Sequence, residues 1–161
     1  LRLQRDNLEG TVGAVEAREQ GFVTVVHDEG TLRQMHALAP SVVAQAGGAL
    51  VGYALAMTAE ARQLVPVLEP MFEQLSTLRL SRFYVMGQIC VAKSHRGRGV
   101  FDALYAGHRA LYGSRFETLV TEISTRNARS LRAHERAGFE VIHRYRDATD
   151  EWVVVALRFA K

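Results

Sequence analysis

At 161 residues, with 48% apolar and 23% charged side chains, the chain has the length and composition of a globular protein and reads as a single domain over 1–161. The net charge of +3 does not point to nucleic acid, because the arginines are scattered and no basic tail or aromatic-interleaved ribbon accompanies them. No apolar run reaches membrane-spanning length, no signal-peptide pattern opens the chain, and one cysteine, Cys90, leaves no internal disulfide, so a cytoplasmic protein with no membrane partner is expected.

In chain order, Leu1 to Gln4 alternates weakly and reads as the remnant of an edge strand. Leu8 to Gln20 reads as helical despite Gly10 and Gly13. Phe22 to Val26 is a short β-branched run that leads through Asp28-Glu29-Gly30 into a helix from Thr31 to Leu38, ended by Pro40. His27 and His36 read as surface or helix-end residues. A hairpin follows, with Ser41–Gln45 and Leu50–Met57 flanking Gly47-Gly48, the composition that a tight reversal favours. Ala59 to Arg82 is irregular and braced by Pro66 and Pro70. Its Glu69, Met71 and Phe72 either touch a substrate or cover one face of the sheet.

The centre of the chain is the run from Val85 to Tyr112. An apolar, β-branched segment (Val85–Val91) reads as a buried strand, and Lys93-Ser94-His95 as a polar turn. Arg96-Gly97-Arg98-Gly99 then opens a helix with Val100, Leu104 and Leu111 on one stripe and Phe101, Tyr105 and Tyr112 beside it. Strand, basic glycine turn and helix form the geometry in which backbone N–H groups converge on a phosphate. The glycines allow close approach and the arginines add fixed charge. The ATP-binding P-loop is excluded, because no G-x-x-x-x-G-K-[ST] run exists. The dinucleotide fingerprint is excluded because Asp102 stands where its third glycine would be. Beyond this run, Leu119–Ser124 reads as a strand, Asn127 as a helix N-cap and Gly138 as the helix stop. Phe139–Asp147 and Trp152–Phe159 read as a terminal hairpin about an acidic turn.

The glycine turn resembles the acyl-CoA pyrophosphate loop of the GNAT superfamily of N-acetyltransferases, [QR]-x-x-G-x-[GA], with Arg96 first and Gly99 fourth; Phe101 departs from the usual small residue. A second hallmark, N-x-x-[AS]-x-x-x-[aromatic]-x-x-x-G-F, is met by Asn127, Ser130, His134, Gly138 and Phe139. Gly52-Tyr53 is similar to a softer cue of the same family.

The resemblance implies an α/β (α+β) fold with a central mixed, largely antiparallel sheet flanked by helices. It also implies transfer of an acetyl group from acetyl-CoA to a primary amine of a small-molecule acceptor, by direct attack in a ternary complex. By the same resemblance the phosphates fall to Arg96, Gly97, Arg98, Gly99, Val100 and Phe101, and the thioester and pantetheine arm to the backbone of Ile89, Cys90 and Val91, with Asn127 and Ser130 alongside. His134 stands where many relatives carry a tyrosine that protonates the leaving sulfur, and Tyr145 is a substitute donor. Two copies pairing through sheet edges or the terminal hairpin is a further implication.

Glu122 interrupts an apolar strand, where a carboxylate is costly unless paired or reached by water, and is the candidate general base; an ion pair with Arg126 or Arg129 is its structural alternative. Gln88 can orient a water but cannot take a proton. Cys90 reads as a small core residue rather than a nucleophile. The histidines are dispersed and no metal is expected. An acyl-CoA-binding module without turnover, and a protein or peptide acetyltransferase, are the competing functions.

Overall fold

The computed structural model describes residues 1–159. Six strands form one sheet in the order β1-β2-β3-β4-β6-β5. In sequence they are β1 (Val42–Ala46), β2 (Ala49–Met57), β3 (Phe83–Val91), β4 (Thr118–Ser124), β5 (Glu140–Arg146) and β6 (Glu151–Arg158). The helices are α1 (Arg2–Arg5), α2 (Ala14–Gln20), α3 (Glu29–Leu38), α4 (Glu69–Thr77), α5 (Val100–Tyr112) and α6 (Ala128–Arg136). All neighbouring strands are antiparallel except β3 and β4. The mixed, largely antiparallel sheet expected from the sequence is therefore present. Among the described residues no helix is long and apolar enough to cross a membrane.

Each face of the sheet carries its own core. Met35, Tyr53, Met57, Met71, Phe72, Val85, Val120 and Val154 pack on the side of α3 and α4. Ala54, Tyr84, Met86, Leu104, Tyr105, Leu119 and Val155 pack on the side of α5. Met71 and Phe72 thus cover the sheet, and Glu69 pairs with Arg62 instead of facing a substrate.

Several elements depart from the sequence reading. Leu1–Gln4 is not a strand; Arg2–Arg5 is a single helical turn. Helix forms only from Ala14, because glycines at 10 and 13 leave the preceding backbone as turn. Asp28 caps α3, accepting from the Thr31 N–H at 2.8 Å, so the helix begins at Glu29. His27 is 2% exposed rather than at the surface, and Leu111 faces outward while His108 takes its expected inward place.

The hairpin turn is as expected: Gly47 and Gly48 have φ of 55° and 78°, the left-handed pair that a two-residue reversal requires. In β3 the register with β2 skips Gly87, which is the extra residue of a β-bulge. Val85 and Cys90 consequently lie on the α4 side, and Met86, Ile89 and Val91 on the α5 side.

Helix α5 sits directly over Gly52, where an added Cβ would lie 2.9 Å from Val100 Cγ1 and 3.2 Å from Leu104 Cδ1. Gly52 therefore sets the height of the glycine turn above the sheet. Gly52→Val is expected to lower stability by about 1–3 kcal/mol through overpacking, read as a lower urea midpoint at unchanged slope.

Candidate active site

β3 and β4 pair for only three residues, Phe83–Val85 with Thr118–Val120, and then diverge. Past Val85 the sheet is open along a line that runs to the glycine turn. The Ala92 N–H bonds the Val51 carbonyl at 2.8 Å. Bonded and non-bonded positions alternate in an antiparallel pair, so the backbones of Gln88 and Cys90 face β2 while those of Ile89 and Val91 face the opening. On the other side, the Thr125 N–H bonds the Glu151 carbonyl, which turns the backbones of Glu122 and Ser124 toward the same opening. Cys90 lines the opening but offers it no backbone N–H, a correction to the trio expected to hold a thioester arm. Burial pushes its thiol up to about 11, which suits a core residue and not a nucleophile.

At one end of the opening stands the glycine turn. Gly97 and Gly99 have φ of 70° and 76°, conformations that side chains resist, and Gly99 leads into α5. The first intrahelical bond of α5 runs from the Ala103 N–H to the Gly99 carbonyl. The N–H groups of Val100, Phe101 and Asp102 therefore have no helical partner and point out of the helix start. Arg96, Gly97, Gly99, Val100 and Phe101 line one cavity with Ile89, Val91, Asn127, Ser130, Arg129 and Arg136. Arg98 beside them is exposed. This set fits a pyrophosphate carried on a long polar arm: backbone donors, fixed cations and a slot between strands. Phe101 fills space rather than narrowing the turn, stacking edge-on against Tyr105 and His134 at 5.0 and 5.1 Å between centroids.

A second cavity continues the opening and is lined by Gln88, Ile89, Glu122, Ser124, Asn127, Ser130, His134 and Trp152. Glu122 and His134, distant in sequence, thus border one space. Their electrostatics differ. Burial pushes the Glu122 carboxyl up to about 7, against a hydrogen bond from the Tyr145 hydroxyl that pulls it the other way. No arginine takes it: Arg126 pairs with Asp150 and Glu9 instead.

His134 is 1% exposed. Its Nδ1 lies 2.8 Å from the Ser130 carbonyl, which can only accept, so Nδ1 carries the proton; Nε2 then accepts from the Tyr105 hydroxyl at 2.6 Å. Burial lowers its pKa to about 4. A ring that is neutral near pH 7 with both nitrogens engaged is poorly suited to the expected role as proton donor.

The largest omission of the sequence reading is the segment Gly21–His27. It borders the opening in extended form, with one backbone bridge, Leu8 with Val23, paired bonds between Gln4 and His27, and Val23 packed in the core. The Gln88 amide donates to the Val25 carbonyl at 2.8 Å while accepting from the Tyr53 hydroxyl at 2.6 Å. The Asn127 amide donates to the Phe22 carbonyl at 3.0 Å, and its oxygen caps α6 at the Ser130 N–H. Gln88 is thus an anchor and not a water-positioning group. The only sequence signal for this segment was a β-branched run too short to pair.

By sequence the chain matches no family model and no curated protein. By structure it is similar to a GNAT-family protein of Desulfovibrio desulfuricans named as an acetyltransferase (22% identity, 74% of this chain and 69% of that one, TM-score 0.56). It is similar also to Ard1 of Thermoplasma volcanium (15%, 86% and 84%, 0.65) and to the NatC complex bound to Gag peptide and CoA (12%, 91% and 89%, 0.62). The fold is that of the GNAT acetyltransferases.

His108 is a second neutral buried imidazole, its Nε2–H toward the Ala54 carbonyl at 3.3 Å and its Nδ1 accepting from Tyr84 at 3.0 Å; its pKa is also lowered to about 4. For such groups the unfolded chain takes up protons first as pH falls. The contribution of these two groups is therefore full above about pH 6.5 and falls toward pH 4, by about 1.4 kcal/mol per pH unit for each imidazole, while the raised carboxyl of Glu122, protonated first in the folded chain, offsets about one of them below pH 7. Urea titrations between pH 7 and 4.5 are expected to record this fall, with a shallower slope in His134→Phe.

Proposed function

We propose that this chain is an acetyl-CoA-dependent N-acetyltransferase acting on a primary amine of a small molecule. The observation that carries the reading is the continuous opening between β3 and β4, with an anion-binding glycine turn at one end and a buried carboxylate of raised pKa at the other. Bound acetyl-CoA supplies a thioester as acyl donor. The N–H groups at the start of α5, with Arg96 and Arg98, hold the pyrophosphate. The N–H groups of Ile89 and Val91 are the donors available to a carbonyl or amide in the opening, and a fixed dipole there stabilises charge that develops on a carbonyl oxygen. Asn127 and Ser130 border the arm.

Glu122 accepts the proton that the attacking amine must lose. Its pKa near 7 suits this task, because the group is largely ionised at neutral pH yet basic enough to take a proton. Tyr145 donates a hydrogen bond to the ionised form and orients it. The C–N bond forms as the C–S bond breaks, and the departing thiolate, whose ordinary pKa is about 8.5, gains its proton from solvent or from protonated Glu122. His134 has no part in the transfer; it braces α6 against Tyr105. A small acceptor fits the polar lining of the second cavity, where Glu122 is the single carboxylate. In this reading residues 1–161 form a single domain that works in the cytoplasm.

Two measurements test it. Acetyl-CoA is expected to raise the melting temperature of the parent protein and not that of Gly99→Glu, which fills the turn with like charge and a side chain at positive φ. Release of free thiol over a panel of amines is expected to fall roughly 100-fold or more in Glu122→Gln, and the rate's decline below about pH 7 is expected in the parent alone. Binding without thiol release for any amine would make the chain an acyl-CoA-binding module, and acetylation of peptides in place of amines would move the acceptor to protein.

A further inference from the structure

The cations of the glycine turn already hold an anion. Glu16 on α2 receives the Lys93 ammonium at 2.9 Å and the Arg96 guanidinium at 3.4 Å. The other terminal nitrogen of Arg96 donates to the Asn7 side-chain oxygen. The same stretch of chain then crosses the opening, where Asn127 holds the Phe22 carbonyl and Gln88 holds the Val25 carbonyl. Residues 7–25 therefore engage, one after another, Lys93 and Arg96, the start of α6 and β3, and of these Arg96 and Asn127 are assigned above to the phosphates and the arm.

The stretch is anchored at its two ends, where Val23 lies in the core with Leu8 and Val25 packed against it and Asn7 is buried, but less holds the helix between them. α2 buries no side chain of its own. Its surroundings are polar contacts and charges: Glu16 with Lys93 and Arg96, and Glu9 with Arg126, whose guanidinium also lies 5.7 Å above the Phe22 ring. Gly21, at φ 78°, turns the chain from α2 into the opening so closely that a Cβ there would meet the Asn127 side-chain oxygen at 2.9 Å. A helix held by polar contacts alone, as α2 is, opens at low free energy compared with the core.

We propose that residues 7–25 are a self-inhibitory strap whose movable part is α2, in which Glu16 takes the place of a phosphate at the turn and must be displaced when a pyrophosphate-bearing acyl thioester binds. The proposal rests on the acyl-CoA reading above. A pyrophosphate brings more negative charge to Lys93 and Arg96 than one carboxylate, and it also reaches the backbone donors of Val100 to Asp102, which Glu16 does not bond. The exchange trades one set of ion pairs for a stronger one and frees the opening between β3 and β4. Ligand affinity is thereby set by the strap as well as by the site.

The test is calorimetric titration of acetyl-CoA into the full chain and into Glu16→Gln and Glu19→Gln, with amide exchange followed over 14–25. Glu19 is exposed on the same helix and has no ion pair among the described residues, so its substitution removes the same charge without the contact. Glu16→Gln is expected to bind about threefold to tenfold tighter than the parent, the range of one or two surface ion pairs, and Glu19→Gln within about twofold of it. Amides of 14–25 are expected to exchange faster in the saturated protein. Equal affinities for all three proteins, weaker binding by Glu16→Gln, or protection of 14–25 on binding would each overturn the strap while leaving the acyl-CoA reading in force. No binding by any of the three would overturn both.

Discussion

Three residue pairs join the two halves of this sheet, and everything that distinguishes the molecule follows from there being no more. A parallel pair that stops early leaves N–H and C=O groups of two central strands facing each other without partners. Buried backbone groups of this kind need hydrogen bonds from somewhere. Edge strands answer the same need with solvent or with another chain, but here the open edges lie inside the sheet, backed on both faces by helices. The gap is thus a slot lined with donors and acceptors, and the segment Gly21–His27 borders it, held by the side chains of Gln88 and Asn127.

The chemistry in the slot is divided by burial. Glu122 and His134 border the same space, yet the same low-dielectric surroundings act on them in opposite senses. Desolvation disfavours whichever form is charged, so the carboxyl becomes a better proton acceptor while the imidazole loses its capacity to be a cation. Hydrogen bonding then completes the division. Tyr145 serves the charged form of Glu122, whereas Ser130 and Tyr105 occupy both nitrogens of His134. One group thereby holds a proton near neutral pH and the other stays uncharged with both nitrogens bonded.

How much of this was legible in the sequence depends on whether the signal is local. The glycine turn, the Gly47-Gly48 hairpin and the Asn127 cap each need particular residues at fixed spacing, and each was readable. So was Glu122, because a carboxylate in an apolar strand is conspicuous wherever the strand lies. The bonding of His134 was not readable, since it turns on Tyr105, which sits 29 positions away. Nor was the parity of Cys90, which depends on hydrogen bonds to another strand. The crossing segment was least readable of all: its bonds to Gln88 and Asn127 reach more than 60 positions along the chain, so nothing in Phe22–Val26 itself distinguishes a strap from a weak strand.

The bulge at Gly87 carries a consequence for the wiring of the whole site. Side chains alternate along a strand, so Gln88 would ordinarily share a side with Met86, inside the apolar layer beneath α5. One surplus residue reverses the alternation for everything beyond it. The amide of Gln88 emerges opposite, beside Tyr53, while Ile89 and Val91 drop into the layer that Met86 began. The reversal also decides which peptide groups look into the slot. A chain one residue shorter at this point would keep every side chain of the motif and aim each of them at the wrong wall, so the strand's usefulness lies in a miscount as much as in its composition.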